Sequence, residues 1–438
     1  MSKPYITFLG LMIAVICLYA QERKIEFIEY DLENGLHVIL HQDNSVPIIS
    51  VSSMYHVGSK DEEVGKTGFA HFFEHVASRK SKNIPVGAFT EYVSEAGGAR
   101  NASTGFDRTY YYELLPSNQL KLGLWIESER MFNMVVDSGV VETQREVVKE
   151  EKRLRMDNQP YGTLVKEVLE RSFTKHHYQW PVIGSMEDLD AATIQDFKDF
   201  RDKYYVPNNA VLVVTGDIEI EKTKELIQAY FGEFPKGADI DRIQITEPPQ
   251  KKEIVDTVYD QVQLPALIYS YHTPAVGTKD YYAMNMLTSI LSDGASSRLN
   301  KSLVDDKQLA VFSGAFNIAN EDPGIFIVYT VANAGADIDS MKMAIDVEIE
   351  KIKTELIPEK EFQKAVNQFE NDFISGNSTI AGIGQTLANY YIIRDNTNLI
   401  NTDLQNTLKV TREDVKAVAN KYLVDTNRVF LYWLPNPQ

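Results

Sequence analysis

Residues 199–217, DFRDKYYVPNNAVLVVTGD, return near the end of the chain as residues 417–435, AVANKYLVDTNRVFLYWLP. Both stretches read as the close of a helix, an aromatic pair or Tyr-Leu, a Pro or Asp turn ending in Asn, and an apolar strand. The two copies start 218 residues apart (417 − 199), half of a 438-residue chain. This predicts two copies of one α+β unit of about two hundred residues each. Runs of strands are separated from runs of helices, which points to mostly antiparallel sheets with helices packed on one side of each, the two units forming a clamshell.

In the first copy, residues 30–59 predict two strands joined at Asp43-Asn44, from the alternation of Leu36, Val38 and Leu40 and then Ile49, Val51 and Ser53. Helical patterns are expected over residues 68–79, 84–96, 118–134, 138–156, 161–173, 193–204 and 220–231, with a Thr- and Tyr-rich strand region at 99–115. Residues 233–250 carry Pro and Gly without a period. The expected division is therefore a signal segment 1–20, a first domain 21–233, a linker 234–252 and a second domain 253–438. In the second copy, strands are expected over 265–274, 308–317 and 324–333, and helices over 281–291, 338–356, 359–375 and 380–394.

Lys and Arg number 44 against 62 Asp and Glu, a formal charge of −18. A surface this acidic repels phosphate backbones, so nucleic acid is excluded as a partner and cationic peptides are favoured. No glycine-rich phosphate loop is present. Lys3, the apolar run at 6–20 and the polar start at Gln21 predict a secretory signal peptide, and hence a periplasmic or secreted mature chain. Lipid attachment at Cys17 is the alternative. Cys17 is the one cysteine, so cleavage after Ala20 leaves neither disulfides nor thiolate sites. A metal would be held by His, Asp or Glu.

Residues 71–75 read His-Phe-Phe-Glu-His. Imidazoles four apart on a helix share a face, so His71 and His75 can grip one ion, and Glu74 can take a proton from a water that the ion polarises. A third ligand is expected from the helix at 138–156, which offers Glu142, Glu146, Glu150 and Glu151. Val147, Val148 and Leu154 predict its inward face, and Glu151 falls on that face, where a carboxylate needs a positive partner. Gln144 shares that face and is expected to hydrogen-bond the ligand set from behind.

His-x-x-Glu-His followed by a Glu 76 residues after the second His resembles the inverted zincins: insulinase, pitrilysin and the mitochondrial processing peptidase. The blocks NGLHVIL, GSKDEEVGKTGFAHFFEHVA, GGARNASTGFDRTYYYELLP, QREVVKEE, WPVIGSMEDL, YYVPNNAVLVVTGD and SDGASSRL occur in the order of that family. The resemblance covers the mature chain and looks like the short bacterial two-domain type. It implies one zinc ion per chain at His71, His75 and Glu151, Glu74 as general base, and a peptide added along an edge strand at Asn101 and Ala102. Two positions depart from the pattern. Gln144 stands where the family has a Glu. Val304 and Val311 stand where members that work alone or as identical pairs carry an Arg and a Tyr that hold the substrate carbonyl. The expected reading is the zinc-bearing subunit of a heterodimeric peptidase whose homologous partner supplies those two groups. The alternative is a non-catalytic assembly subunit.

Overall fold

The computed structural model describes residues 24–242 and 244–437; the expected signal segment and Cys17 lie outside the described residues. The first half runs β1 (Ile28–Asp31), β2 (His37–Gln42), β3 (Ile48–Tyr55), α1 (Phe69–Ala77), α2 (Ala88–Glu95), β4 (Ala99–Thr104), β5 (Thr109–Pro116), α3 (Leu120–Phe132), α4 (Ser138–Lys152), α5 (Leu164–Ser172), α6 (Met186–Ala191), α7 (Ile194–Tyr204), β6 (Ala210–Gly216) and α8 (Ile220–Phe231). The second runs β7 (Ile254–Asp260), β8 (Ala266–His272), α9 (Lys279–Ser292), β9 (Ala310–Ile318), β10 (Ile325–Ala332), α10 (Ile338–Thr354), α11 (Glu359–Gly376), α12 (Ile380–Arg394), α13 (Leu399–Leu408), α14 (Arg412–Tyr422) and β11 (Arg428–Pro435). The strands β1 and β7 and the short helices α6 and α13 were not legible from periodicity: each is too short or too polar to show a period.

The strand order is β1-β2-β6-β3-β5-β4 in one sheet and β7-β11-β8-β10-β9 in the other. Without β1 the two orders superimpose strand for strand. Each sheet has one parallel pair, β2 with β6 and β7 with β11, and is otherwise antiparallel. The repeated turn is the same to the atom. Asn209 Nδ2 donates to the Tyr204 and His56 carbonyls at 2.8 and 3.3 Å; Asn427 Nδ2 donates to those of Tyr422 and His272 at 2.9 and 3.0 Å.

Helices of the same half cover one face of each sheet, as expected. The other face is also apolar, and here the two halves exchange helices. Ile39, Met54, Val211 and Val213 of the first sheet pack against Ile383, Leu387 and Ala388 of α12. Ala266, Ile268, Ile327, Val429, Leu431 and Trp433 of the second pack against Val168 and Leu169 of α5, with Phe173 and Tyr178 behind them. The central strands are therefore apolar runs rather than alternating ones, because both faces are buried. Asn401 of α13 also holds the start of the described chain, bonding the Ile25 amide at 2.8 Å and its carbonyl at 3.0 Å.

An ionic cluster closes the junction. The loop between β9 and β10 places Glu321 at 2.5 Å from Lys60 Nζ and 2.9 Å from His56 Nε2, while Asp322 lies 3.4 Å from both Lys60 and His176. Burial alone would raise the Glu321 carboxyl, but the hydrogen bond and charge of His56 and the charge of Lys60 outweigh it and hold it at about 2. A carboxyl depressed by folding contributes stability above its unfolded pKa and loses it as pH falls through the folded one. The native chain is thus expected to lose this contribution between about pH 4.5 and about pH 2. Urea denaturation at pH 7 and pH 3 should show a larger acid-induced loss for the native chain than for Glu321→Gln; equal losses would mean that the cluster adds nothing.

Candidate metal centre

Helix α1 is held at both ends by groups from elsewhere. Its N-terminal residue Gly68 has φ +81°, and a Cβ there would stand 2.4 Å from the Ile183 carbonyl oxygen, so only glycine fits. Glycine offers no capping side chain. The buried carboxylate of Glu62 takes that role, accepting from the amides of Gly68 at 3.0 Å and Ala70 at 2.7 Å and from Trp180 Nε1 at 2.9 Å. Asp188 accepts from the Thr67 amide at 3.0 Å. At the other end the fully buried Arg130 donates to the Ala77 carbonyl at 3.1 Å and Ser78 Oγ at 3.2 Å. Phe69, Phe72, Phe73 and Val76 anchor α1 in the first core, against Phe197 and Phe200. That leaves His71 and His75 on its open side.

Helix α4 packs beside α1 and brings the acid. Asp137 caps it, accepting from the Val140 amide at 3.0 Å. Its buried residues are Val140, Val141, Gln144, Arg145, Val148 and Lys152. Val147 and Leu154, expected on the inward face, are 45% and 56% exposed. The helix is rotated from that expectation because Arg145 reaches inward to the Leu189 and Ala192 carbonyls, taking up space an aliphatic stripe was expected to fill. Glu151 sits at the border of the buried face, three residues after Val148. Just beyond it the helix widens into a π-type turn at Arg153–Asp157. Glu142, Glu146 and Glu150 are exposed.

The structure brings the three expected ligands together. Glu151 Oε2 lies 3.3 Å from His75 Nε2 and 3.8 Å from His71 Nε2, and the candidate donor atoms all fall within 4.8 Å of one another. A tetrahedral zinc with bonds of about 2.1 Å spaces its ligands roughly 3.4 Å apart. Two imidazole nitrogens and a carboxylate oxygen at these separations fit that ion. Among the described residues, no other group of three or more His, Cys, Asp or Glu has this spacing. Burial and the nearby His75 charge push the His71 imidazole down to about 4, which keeps it neutral with its lone pair available. The hydrogen bond from His75 holds Glu151 below the usual carboxylate range. The other Glu151 oxygen, Oε1, is 2.8 Å from the exposed Arg155.

Glu74 is buried beside them and accepts from Thr104 Oγ1 at 2.5 Å. Burial raises its pKa, against the opposing pull of that hydrogen bond. Gln144 is buried two turns before Glu151 on α4. Asn101 and Ala102 lie on β4, the edge strand. The hairpin closes with the Gly105 amide on the Arg108 carbonyl at 2.8 Å, so alternation places the Ala102 amide on the outer, unpaired edge. Asn101 Oδ1 accepts from that amide at 3.0 Å. Sequence reading missed Glu62, Thr104, Arg130, Trp180 and Asp188, which build or support the centre. Thr104, Arg130, Trp180 and Asp188 contribute through contacts distant in sequence, and Glu62 through a cap six to eight residues away, with no local pattern to mark them.

The family model described as Insulinase (Peptidase family M16) matches residues 37–185, and the Peptidase M16 inactive domain matches residues 191–369. The chain is similar to the zinc protease PqqE of Helicobacter pylori, 33% identical over 410 residues and 92% of each chain. Among solved structures, a protease from Helicobacter pylori aligns with TM-score 0.90 and 30% identity over 94% of this chain and 100% of that one. A putative M16-like peptidase from Alicyclobacillus acidocaldarius aligns with TM-score 0.82 and 20% identity over 94% and 98%.

A ligand that binds only the folded chain raises its stability by about 2.7 kcal/mol at a hundredfold excess over Kd. Added zinc is expected to raise the Tm of the native chain and to leave that of His75→Ala and Glu151→Ala unmoved in differential scanning fluorimetry. An equal rise in all three would place the ion elsewhere.

Proposed function

Because this chain belongs to the insulinase family, peptidase M16, we propose that it is a zinc metalloendopeptidase that hydrolyses peptides or unfolded polypeptide segments. The observation that carries this reading is the convergence of His71, His75 and Glu151 within 4.8 Å, with the buried Glu74 beside them. His71, His75 and Glu151 hold the ion, one per chain. When bound, zinc supplies Lewis acidity that polarises the scissile carbonyl and acidifies water. Three protein ligands leave a coordination position open, the pattern of a catalytic rather than a structural site.

Glu74 takes a proton from the attacking water and hands it to the leaving amine. Its burial raises its basicity, and Thr104 fixes which oxygen is free to do so. The peptide adds to the outer edge of β4, where its main chain replaces the Asn101 carboxamide on the Ala102 amide. Gln144, uncharged, orients the ligand helix from within and exchanges no proton.

Two positions of the second half bear on the oxyanion. Val304 is half-buried and packs against the second core. Val311 is exposed at an irregularity in the β9–β10 pairing, where Val331 faces Phe312 and Ala332 faces Ala310. Neither side chain donates a hydrogen bond, and a missing oxyanion donor costs about 3 kcal/mol of transition-state stabilisation. This supports a heterodimer in which a homologous second subunit supplies the donors. The segment 1–20 would export the chain to the periplasm or beyond; no helix among the described residues is long and apolar enough to cross a membrane.

Glu74→Gln is expected to retain zinc and to lose about 10²- to 10⁴-fold in kcat. Metal analysis alongside a peptide-cleavage assay checks this, and unchanged turnover with zinc bound would remove Glu74 from the role. The native chain assayed alone is expected to cleave far more slowly than with its copurifying subunit; equal rates would remove the partner from the mechanism.

A further inference from the structure

The two oxygens of the Glu151 carboxylate have different partners. Oε2 is turned to the imidazoles, 3.3 Å from His75 Nε2 and 3.8 Å from His71 Nε2. Oε1 is turned out of the cluster and lies 2.8 Å from Arg155 Nη1. The last torsion of a glutamate side chain is broad, so a partner has to decide which oxygen an ion would meet. Exposed ion pairs four residues apart on a helix are common and weak, and a role needs more than the pair itself. Two further observations supply it. The Glu151 side chain is only 17% exposed, while Arg155 at 76% reaches in to it from the solvent side. The helix also leaves α geometry just there: Arg153–Asp157 form a π-type turn, with the Asn158 amide donating to the Arg153 carbonyl at 2.9 Å. Such turns are rare and frequently mark functional sites, and Arg155 stands at the middle of this one.

The neighbouring basic residues are engaged elsewhere. Lys149 pairs with Asp190 at 2.7 Å, Lys152 with Asp157 at 2.6 Å and Arg153 with Glu150 at 3.1 Å. Arg155 is the one of them that meets the proposed ligand. A carboxylate offering both oxygens to an ion would take up the coordination position that a catalytic site keeps open. Resting on the peptidase reading above, we infer that Arg155 is a positioning residue that withholds Oε1 from the metal. Glu151 then binds through Oε2 alone, and the open position stays free for water and substrate. A guanidinium suits the task, because it keeps its charge at any working pH and holds its donors in a fixed plane.

The test compares the native chain with Arg155→Ala, Arg155→Lys and, as a control for charge, Arg153→Ala. Both arginines are exposed, so each variant keeps the core intact. Each protein, with any subunit that copurifies, is loaded with zinc and crystallised. Native protein is expected to show Oε1 on Arg155 and outside bonding distance of the ion, and Arg155→Ala to show both oxygens bound. Acetohydroxamate, a small ligand for open zinc positions, should bind Arg155→Ala about tenfold more weakly than native protein. Its kcat on a peptide should fall by about the same factor, with KM and zinc content unchanged. Arg155→Lys should recover most of both losses, and Arg153→Ala should match the native chain. Both oxygens bound in native protein, or Oε2 alone in Arg155→Ala, would overturn the inference. Equal losses in Arg153→Ala would also overturn it, reducing the effect to surface charge. If native protein holds zinc at His71, His75 and Glu151 but cuts no peptide, the peptidase reading falls and the crystal structures still decide the role of Arg155. A native chain that takes up no zinc there would overturn both.

Discussion

A strand that is apolar on both faces has to be covered twice. That constraint organises this molecule. Val211 and Val213 turn one way from β6 and Leu212 and Val214 the other, and the helices of the first half can reach only one of those faces. The second layer is borrowed: α12 crosses to the first sheet and α5 to the second. Each fully buried Val or Leu contributes about 1.5–3 kcal/mol, so neither half can be separated from the other without uncovering several of them. The duplication visible in the strand order thus produces two units that complete each other rather than two independent domains.

The metal centre draws on the same rigidity. Two imidazoles on one helix are a local feature, but their aim depends on a capped N-terminus held by Glu62 and Trp180 and on a C-terminus held by Arg130. The helix carrying Glu151 is set by Arg145 against α6 and by Val148 against the core. Drawing a carboxylate and two imidazoles out of water into one site costs desolvation free energy. Such an arrangement persists because the surrounding packing over-determines it, which is what a site prepared for a cation requires.

Much of this was legible in the sequence. The repeated turn gave the duplication, and helices such as Ile220–Phe231 and Ile380–Arg394 coincide with their periodic patterns. The His71, Glu74 and His75 trio is a reading of helical geometry alone. Of the four glutamates on that helix, Glu151 is the one that lies beside the histidines, while Val147 and Leu154, expected on the inward face with it, are exposed. A 100° step per residue tells which residues share a stripe, but not which stripe faces the core when an arginine can reach inward as well as a valine.

By itself, then, the sequence determined what depends on near neighbours: the helical register that aligns two imidazoles and the repeat that doubles the fold. Only the tertiary structure decided the exchange of α5 and α12 between sheets, the rotation of α4 that leaves an aliphatic stripe open around Glu151, and the buried acid that caps a helix beginning in glycine. The exchange and the rotation rest on contacts between residues tens to hundreds of positions apart, whose free energy is set by which surfaces meet, and no local period encodes that meeting.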